Sequence, residues 1–281
     1  MDQPARSVPP AATRKLRSAM RKAWLGASLL SNRAFGLRPP AGDLGLAQDE
    51  AIRNRVVLAS RFLRGDGIEI GAANRPLPMP GGARVTYVDR KGLDGLYAEY
   101  GSVLRFGIVA PSVVDDAQTL GCFADASLDF VVACHVVEHL EDPLAFFRSC
   151  ARVLRAGGVV FCAVPERELT FDRRRALTPF GHLLADHRDG PEASRAAHFR
   201  DYVRLADIQD GARAWTDEAG YERQVAKLME EDASIHYHVW NRETFLDLAL
   251  RLRSELDLPF RIEASLCHVD EVLVVLRKDA P

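Results

Sequence analysis

The residues best placed to do chemistry stand at the ends of short apolar runs. Glu69 and Gly71 close the run at 67–70 and lead into Ala72, Ala73, Arg75 and Pro76. A glycine turn there lets the backbone approach a ligand that a side chain would block. Asp89 closes the next run, 85–88, and is followed by Arg90. An acid in that position accepts hydrogen bonds from two vicinal ribose hydroxyls. Asp115, Asp116 and Ala117 follow Val113 and Val114. A carboxylate here can accept from an adenine amino group, and a turn or helix cap is its competing use. Cys134 and His135 follow the run 128–133. His135 is the first candidate for a general base, against the plainer role of shaping a pocket. His139 reads as a packing or hydrogen-bonding residue.

These positions share one arrangement, because the chain around them alternates between strand-like and helix-like segments. Strands are expected at 67–70, 85–88, 113–114, 128–133 and 159–164, with an amphipathic helix at 143–154 that Gly157 and Gly158 punctuate. That rhythm implies an α/β fold with a parallel sheet covered on both faces. Upstream, the apolar spacing after the loop at 38–43 is helical, with Gly65 as its stop. The rhythm breaks between Pro165 and Tyr237, a stretch rich in Arg, Asp and His with helical pieces at 179–186, 193–206 and 217–229. It resumes with a helix at 241–256, capped by Asn241, and two strands at 260–266 and 271–277 that read as a hairpin.

The segment SLDFVVACHVVEHLEDPLAFFRSCARVLRAGGVV resembles class I S-adenosylmethionine-dependent methyltransferases. The likeness is carried in order by Asp129-Phe130, the run from His135 to Leu140, Arg152-Val153-Leu154 and Gly157-Gly158. It covers about 67–165 and again 236–277. A narrower likeness, in EIGA followed by PLP, then YVDR, DD, TL and FDR…LT…HLLADH, is to methyltransferases associated with bacterial surface-polysaccharide glycosyltransferases. The resemblance implies a Rossmann-like, seven-stranded, mostly parallel sheet with an antiparallel C-terminal hairpin and a helical insertion after strand 5. It implies S-adenosyl-L-methionine as cofactor, with Glu69, Gly71, Ala72 and Ala73 at its amino-acid end. Asp89 would face the ribose, Asp116 and Ala117 the adenine, and Cys134 and His135 the transferable methyl, with Arg90 also among the cofactor-binding residues. One departure stands out: Ala73 and Arg75 occupy later glycine positions of the family's turn. Alanine is acceptable there if its φ is negative.

The expected organisation is an N-terminal extension at 1–45, a cofactor-binding core at 46–165, a helical substrate cap at 166–238, and a last helix and hairpin at 239–281. Long insertions at strand ends usually build ligand sites. Asp172, Arg173, His182 and His187 are therefore the substrate-contact candidates. Together with Asp186, His198, His236 and His238 they can in principle ligate a divalent cation, but no metal centre is expected, since lone histidines in a polar segment are more often surface groups. Trp215, Tyr237 and Trp240 can stack on a sugar or pack in the core.

Composition narrows the function classes. A net charge of −2 over 281 residues gives no global attraction to nucleic acid. The fourth-strand end also lacks the Asn/Asp-Pro-Pro-aromatic loop used on base amines. Five scattered cysteines without a CxxC pair argue against a disulfide framework or a cysteine zinc site and fit a cytoplasmic protein. The basic amphipathic stretch 13–30 is too short in apolar core for a secretory signal. It reads as a helix packed on the domain or touching anionic lipid. The expected activity is O-methylation of a sugar, glycan or small-molecule hydroxyl, with a glycosyltransferase as a partner. The rivals are a non-catalytic methyltransferase-like partner of a glycan-assembly enzyme, and a nicotinamide-dependent oxidoreductase. The latter is disfavoured because GAANRP lacks the second and third glycines of G-x-G-x-x-G.

Overall fold

In a computed structural model, which describes residues 43–100, 107–206, 217–268 and 270–280, the chain builds a seven-stranded sheet in an α/β arrangement. The elements are α1 (Asp43–Phe62), β1 (Gly65–Ile70), β2 (Ala83–Asp89), α2 (Leu93–Tyr100), β3 (Val113–Val114), β4 (Leu128–Cys134), α3 (Pro143–Val153) and β5 (Leu154–Pro165). The insertion supplies α4 (Phe180–Asp189), α5 (Glu192–Leu205) and α6 (Glu218–Glu230). The chain then returns through α7 (Arg242–Ser254), β6 (Phe260–His268) and β7 (Glu271–Lys278). The basic stretch 13–30 and Trp215 lie outside the described residues.

Strand order is β3-β2-β1-β4-β5-β7-β6, with β7 antiparallel to both β5 and β6. The order reverses between β1 and β4, which pair in parallel from Gly67 opposite Phe130 to Ile70 opposite Ala133. A crevice opens at such a reversal, beyond the carboxyl ends of the strands, because the connecting segments leave in opposite directions.

Central strands are apolar on both sides, as a two-faced sheet requires. Phe130, Val132, Phe161 and Ala163 pack on one face with Ala59 and Leu63, from α1 and just beyond it. Val131, Ala133, Val160 and Cys162 alternate onto the other face, under Leu144, Phe147 and Cys150 of α3 and Phe245 and Leu248 of α7. The insertion keeps a small core of its own from Phe199, Tyr221, Val225, Ile235 and Tyr237.

Two local expectations are corrected. The Gly157-Gly158 pair does not end the preceding helix: α3 stops at Val153, Leu154 already begins β5, and both glycines lie within that strand. The pairing with β4 shifts register between Leu128 and Phe130. At Gly158 a Cβ would stand 3.1 Å from the Asp129 carbonyl, so the close strand approach explains the glycine. Ala73 is the second correction. Its φ is +44°, not negative, so it takes the left-handed conformation usually left to glycine. Arg75 is absent from the positive-φ positions, and its N–H donates to the Ala72 carbonyl at 2.8 Å, closing the turn.

Candidate active site

The carboxyl ends of β1, β2, β3 and β4 open onto one cavity of about 580 Å³, within the usual size range of small-molecule sites. Ile70, Gly71, Ala73, Asp89, Arg90, Asp116, Ala117 and His135 line it. Gly71 sits at φ +65°, and a Cβ there would come 2.8 Å from Val136 Cγ2. The turn is thus a cradle that any side chain would fill. Burial raises the Asp89 carboxyl above its ordinary value, while backbone N–H groups of Arg90 and Lys91 oppose that rise. Asp116, beyond the adjacent strand β3, also lines the cavity, one carboxylate oxygen accepting from the Gln118 N–H at 2.8 Å.

Other expected residues stand behind the surface. Glu69 is buried; one oxygen accepts from the Leu77 N–H at 2.8 Å and the other has no hydrogen-bond partner. Burial pushes its carboxyl up to about 8. Ala72 and Cys134 do not line the cavity, and burial pushes the Cys134 thiol up to about 12. None of Asp172, Arg173, His182 and His187 lines the cavity either. Asp172 is buried against Arg175 at 2.8 Å and His236 at 2.6 Å, and His187 faces Asp142 at 2.8 Å. Asp172 therefore braces the cap internally.

His135 directly follows β4 with φ +55°, an uncommon backbone for a non-glycine residue, and lines the crevice. Its Nε2 lies 3.0 Å from Glu271 Oε2. Glu271 in turn accepts from Arg55 Nε at 3.0 Å and also pairs with Arg55 Nη2. Burial by itself would raise the Glu271 carboxyl, but hydrogen bonds from His135 and Arg55 hold it down at about 2. Glu271 is therefore a carboxylate, and its partner His135 Nε2 carries the hydrogen; this tautomer is assigned from the bonding network. His135 Nδ1, 3.5 Å from Glu138 Oε1, is left as the accepting atom. Burial lowers the His135 pKa below its ordinary value, and the ring is neutral at neutral pH.

Several positions at the candidate site carry no sequence signal of their own. Glu271 reads as the polar start of a hairpin strand, and Arg55 as one charge of an amphipathic helix. Only antiparallel pairing of Glu271 with Pro165 carries that carboxylate to the end of the sheet where His135 stands. Tyr100, Gln118, His139, Ser234 and Tyr237 also line the cavity. His139 is not on a long helix but in a 3-10 turn, Val137–His139, with Nδ1 2.8 Å from the Ile235 carbonyl. Glu138, His139 and His236 offer ligand atoms within 4.8 Å of one another, a geometry that can hold a cation beside the crevice.

Residues 67–162, which contain the glycine turn, Asp89, Asp116 and His135, match a family model described as "Methyltransferase domain". The segment is similar to that domain, and S-adenosylmethionine is the cofactor. The chain is 24% identical over 225 residues to a ubiquinone biosynthesis O-methyltransferase of Xanthomonas euvesicatoria, covering 77% of this chain and 84% of that protein. A protein of the same name from Xanthomonas oryzae is 25% identical over 170 residues, covering 59% of this chain and 62% of that protein. Among solved structures, a SAM-dependent methyltransferase of Methanosarcina mazei superposes with a TM-score of 0.41 at 14% identity, covering 79% of this chain and 96% of the other. The cavity suits the cofactor: a side-chain-free turn at Gly71 lies on the same wall-to-wall surface as carboxylates at Asp89 and Asp116.

Proposed function

We propose that the protein is an O-methyltransferase acting on a hydroxyl of a small molecule or glycan, with His135 as general base. The observation that carries this reading is the Arg55–Glu271–His135 relay at the rim of the cofactor crevice. When bound, S-adenosylmethionine supplies an electrophilic methyl carbon on a sulfonium. Asp89 would take the ribose hydroxyls, Asp116 and Ala117 the adenine, and the Gly71–Ala73 turn, backed by Glu69, the amino-acid end. His135 Nδ1 would accept the proton of the acceptor hydroxyl, and Glu271 would steady the imidazolium that results. Holding the acceptor in line under Tyr237 and Ser234 of the cap supplies the rest, since alignment and water exclusion dominate such displacements.

The O-methyl outcome is supported by the names of the two Xanthomonas relatives. A sugar acceptor and a glycosyltransferase partner are supported by the FDR…LT…HLLADH motif. Contact with anionic lipid through 13–30 is supported by the basic pattern of that stretch, and a cytoplasmic setting by five free thiols. The test is calorimetric titration with S-adenosylmethionine, followed by a donor-consumption screen over nucleotide sugars, oligosaccharides and phenols. Asp89→Ala is expected to weaken donor binding by roughly tenfold or more, with Asp116→Ala in the same direction. His135→Asn should keep donor affinity and lose about 10²–10⁴ in turnover. Full turnover in His135→Asn, or unchanged affinity in both aspartate variants, refutes the assignment.

A further inference from the structure

The insertion carries a second cluster of histidines, separate from the cavity lining. His182 and Asp186 share one face of α4, and His198 projects from α5. His238 comes from the extended segment that runs from α6 back to α7. The Nε2 atoms of His182 and His198 are 3.0 Å apart, and Asp186 Oδ2 lies 3.2 Å from the first and 3.8 Å from the second. The three histidines offer ligand atoms within 4.8 Å of one another.

One feature is hard to reconcile with a simple hydrogen-bonded network. His238 Nδ1 is buried without a hydrogen-bond partner, and the buried Asp186 Oδ2 has only the His182 and His198 imidazoles beside it. His238 Nε2, by contrast, is engaged, 3.2 Å from the Glu141 carbonyl. That bond fixes the ring and leaves the Nδ1 lone pair bare, the arrangement of a metal-bound histidine whose far nitrogen is held by a carbonyl. Two imidazole nitrogens in contact, with a carboxylate oxygen beside them, are the close approach of donor atoms that a shared cation would hold together.

We propose that His182, His198 and His238, with Asp186 as the fourth ligand, form a zinc site that fastens the cap. Three imidazoles and one carboxylate converging from a partly buried cluster suit tetrahedral Zn2+ and disfavour hard cations that need six or more oxygens. With Zn–N bonds of about 2.0–2.1 Å, neighbouring ligands in a tetrahedron stand about 3.3 Å apart. The 3.0 and 3.2 Å contacts already approach that spacing, whereas His238, within 4.8 Å of the other two imidazoles, has to close on them and on Asp186 when the ion binds. Four protein ligands leave no open position, so the role is structural. The metal would tie α4 and α5 to the segment whose Tyr237 and His238 N–H groups reach the Glu138 carbonyl. Tyr237 and Glu141 line the cofactor cavity, so the clamp sets one wall of it.

The experiment is metal analysis of the purified full chain after removal with a strong chelator and reconstitution with Zn2+ alone, followed by exhaustive dialysis. About one zinc per chain is expected, falling at least about fivefold in a His182→Gln/His198→Gln variant. His139→Gln, in the other histidine group, should retain it. Loading the unmutated protein with Co2+ should give the intense visible bands of tetrahedral coordination, a readout that does not depend on a variant folding. No retained zinc, weak octahedral cobalt bands, or zinc lost in His139→Gln but kept in the double variant would each overturn the proposal. Metal content is independent of methyl transfer, and donor titration on the same samples separates failure of one reading from failure of the other.

Discussion

Replacing Glu271 with Gln preserves shape and removes one charge, so it isolates the relay behind His135. Glu271 is 2% exposed and Arg55 13% exposed, and solvent screens their pairing little. The folded carboxyl is held at about 2 against an ordinary 4.5. That difference corresponds to about 3 kcal/mol in favour of the ionised form. Because the folded pKa is depressed, this stabilisation is complete above the unfolded value and fades as pH falls from 4.5 toward 2. Glu271→Gln should therefore lose about 3 kcal/mol at pH 7, measured by urea unfolding with m held in common. The gap between the two proteins should narrow steadily below about pH 4.5. Catalysis supplies a second readout: turnover should fall by about 10²-fold or more, while donor affinity stays within a few fold, since Glu271 does not line the cavity. A gap under about 1 kcal/mol at pH 7, or one that holds constant into acid, would refute the charge argument.

Further outcomes follow from the same geometry. Glu69 has its folded pKa raised to about 8, so it costs stability as pH climbs from 4.5 toward 8. Glu69→Gln should flatten the wild-type decline between pH 6 and pH 9 by at most about 3 kcal/mol in chemical unfolding; an unchanged slope would show that Glu69 is already ionised. Gly71→Ala combines a left-handed φ with a Cβ 2.8 Å from Val136, and should cost about 1–2 kcal/mol and weaken donor binding. Calorimetry reads both effects, and wild-type affinity would argue that the turn does not cradle the ligand. The acid limb of the turnover–pH profile should have its midpoint below the ordinary histidine value, because burial lowers His135; a midpoint above that value would assign the limb to another group.

Much of the fold is legible without tertiary information, because local pattern and local environment agree. The alternation of short β-branched runs with the amphipathic segment at Pro143–Val153 already implies a covered parallel sheet, and each of its strands appears close to its expected place. The Asn241 cap is equally local: its side chain accepts from the Thr244 N–H, and α7 starts there. Gly71, Asp89 and Asp116 were legible as one site because each follows a strand, and parallel strands bring their carboxyl ends to a common edge. The role of Gly158 is not legible in the sequence, because the demand on it comes from the neighbouring strand and not from α3.

What the chain pattern alone determined is the identity and order of the parts: the sheet, the crevice at its reversal and the acids that end its strands. Only the tertiary structure decided which distant groups share a proton or a cavity. Glu271 reaches His135 because β7 runs antiparallel beside β5, which reverses the end of the strand that faces the crevice. His182, His198 and His238 meet because two helices and an extended segment of the cap converge, and no spacing along the chain encodes that convergence. Periodicity reports on neighbours within one element; contacts between elements depend on directions that the chain takes only once the core has packed.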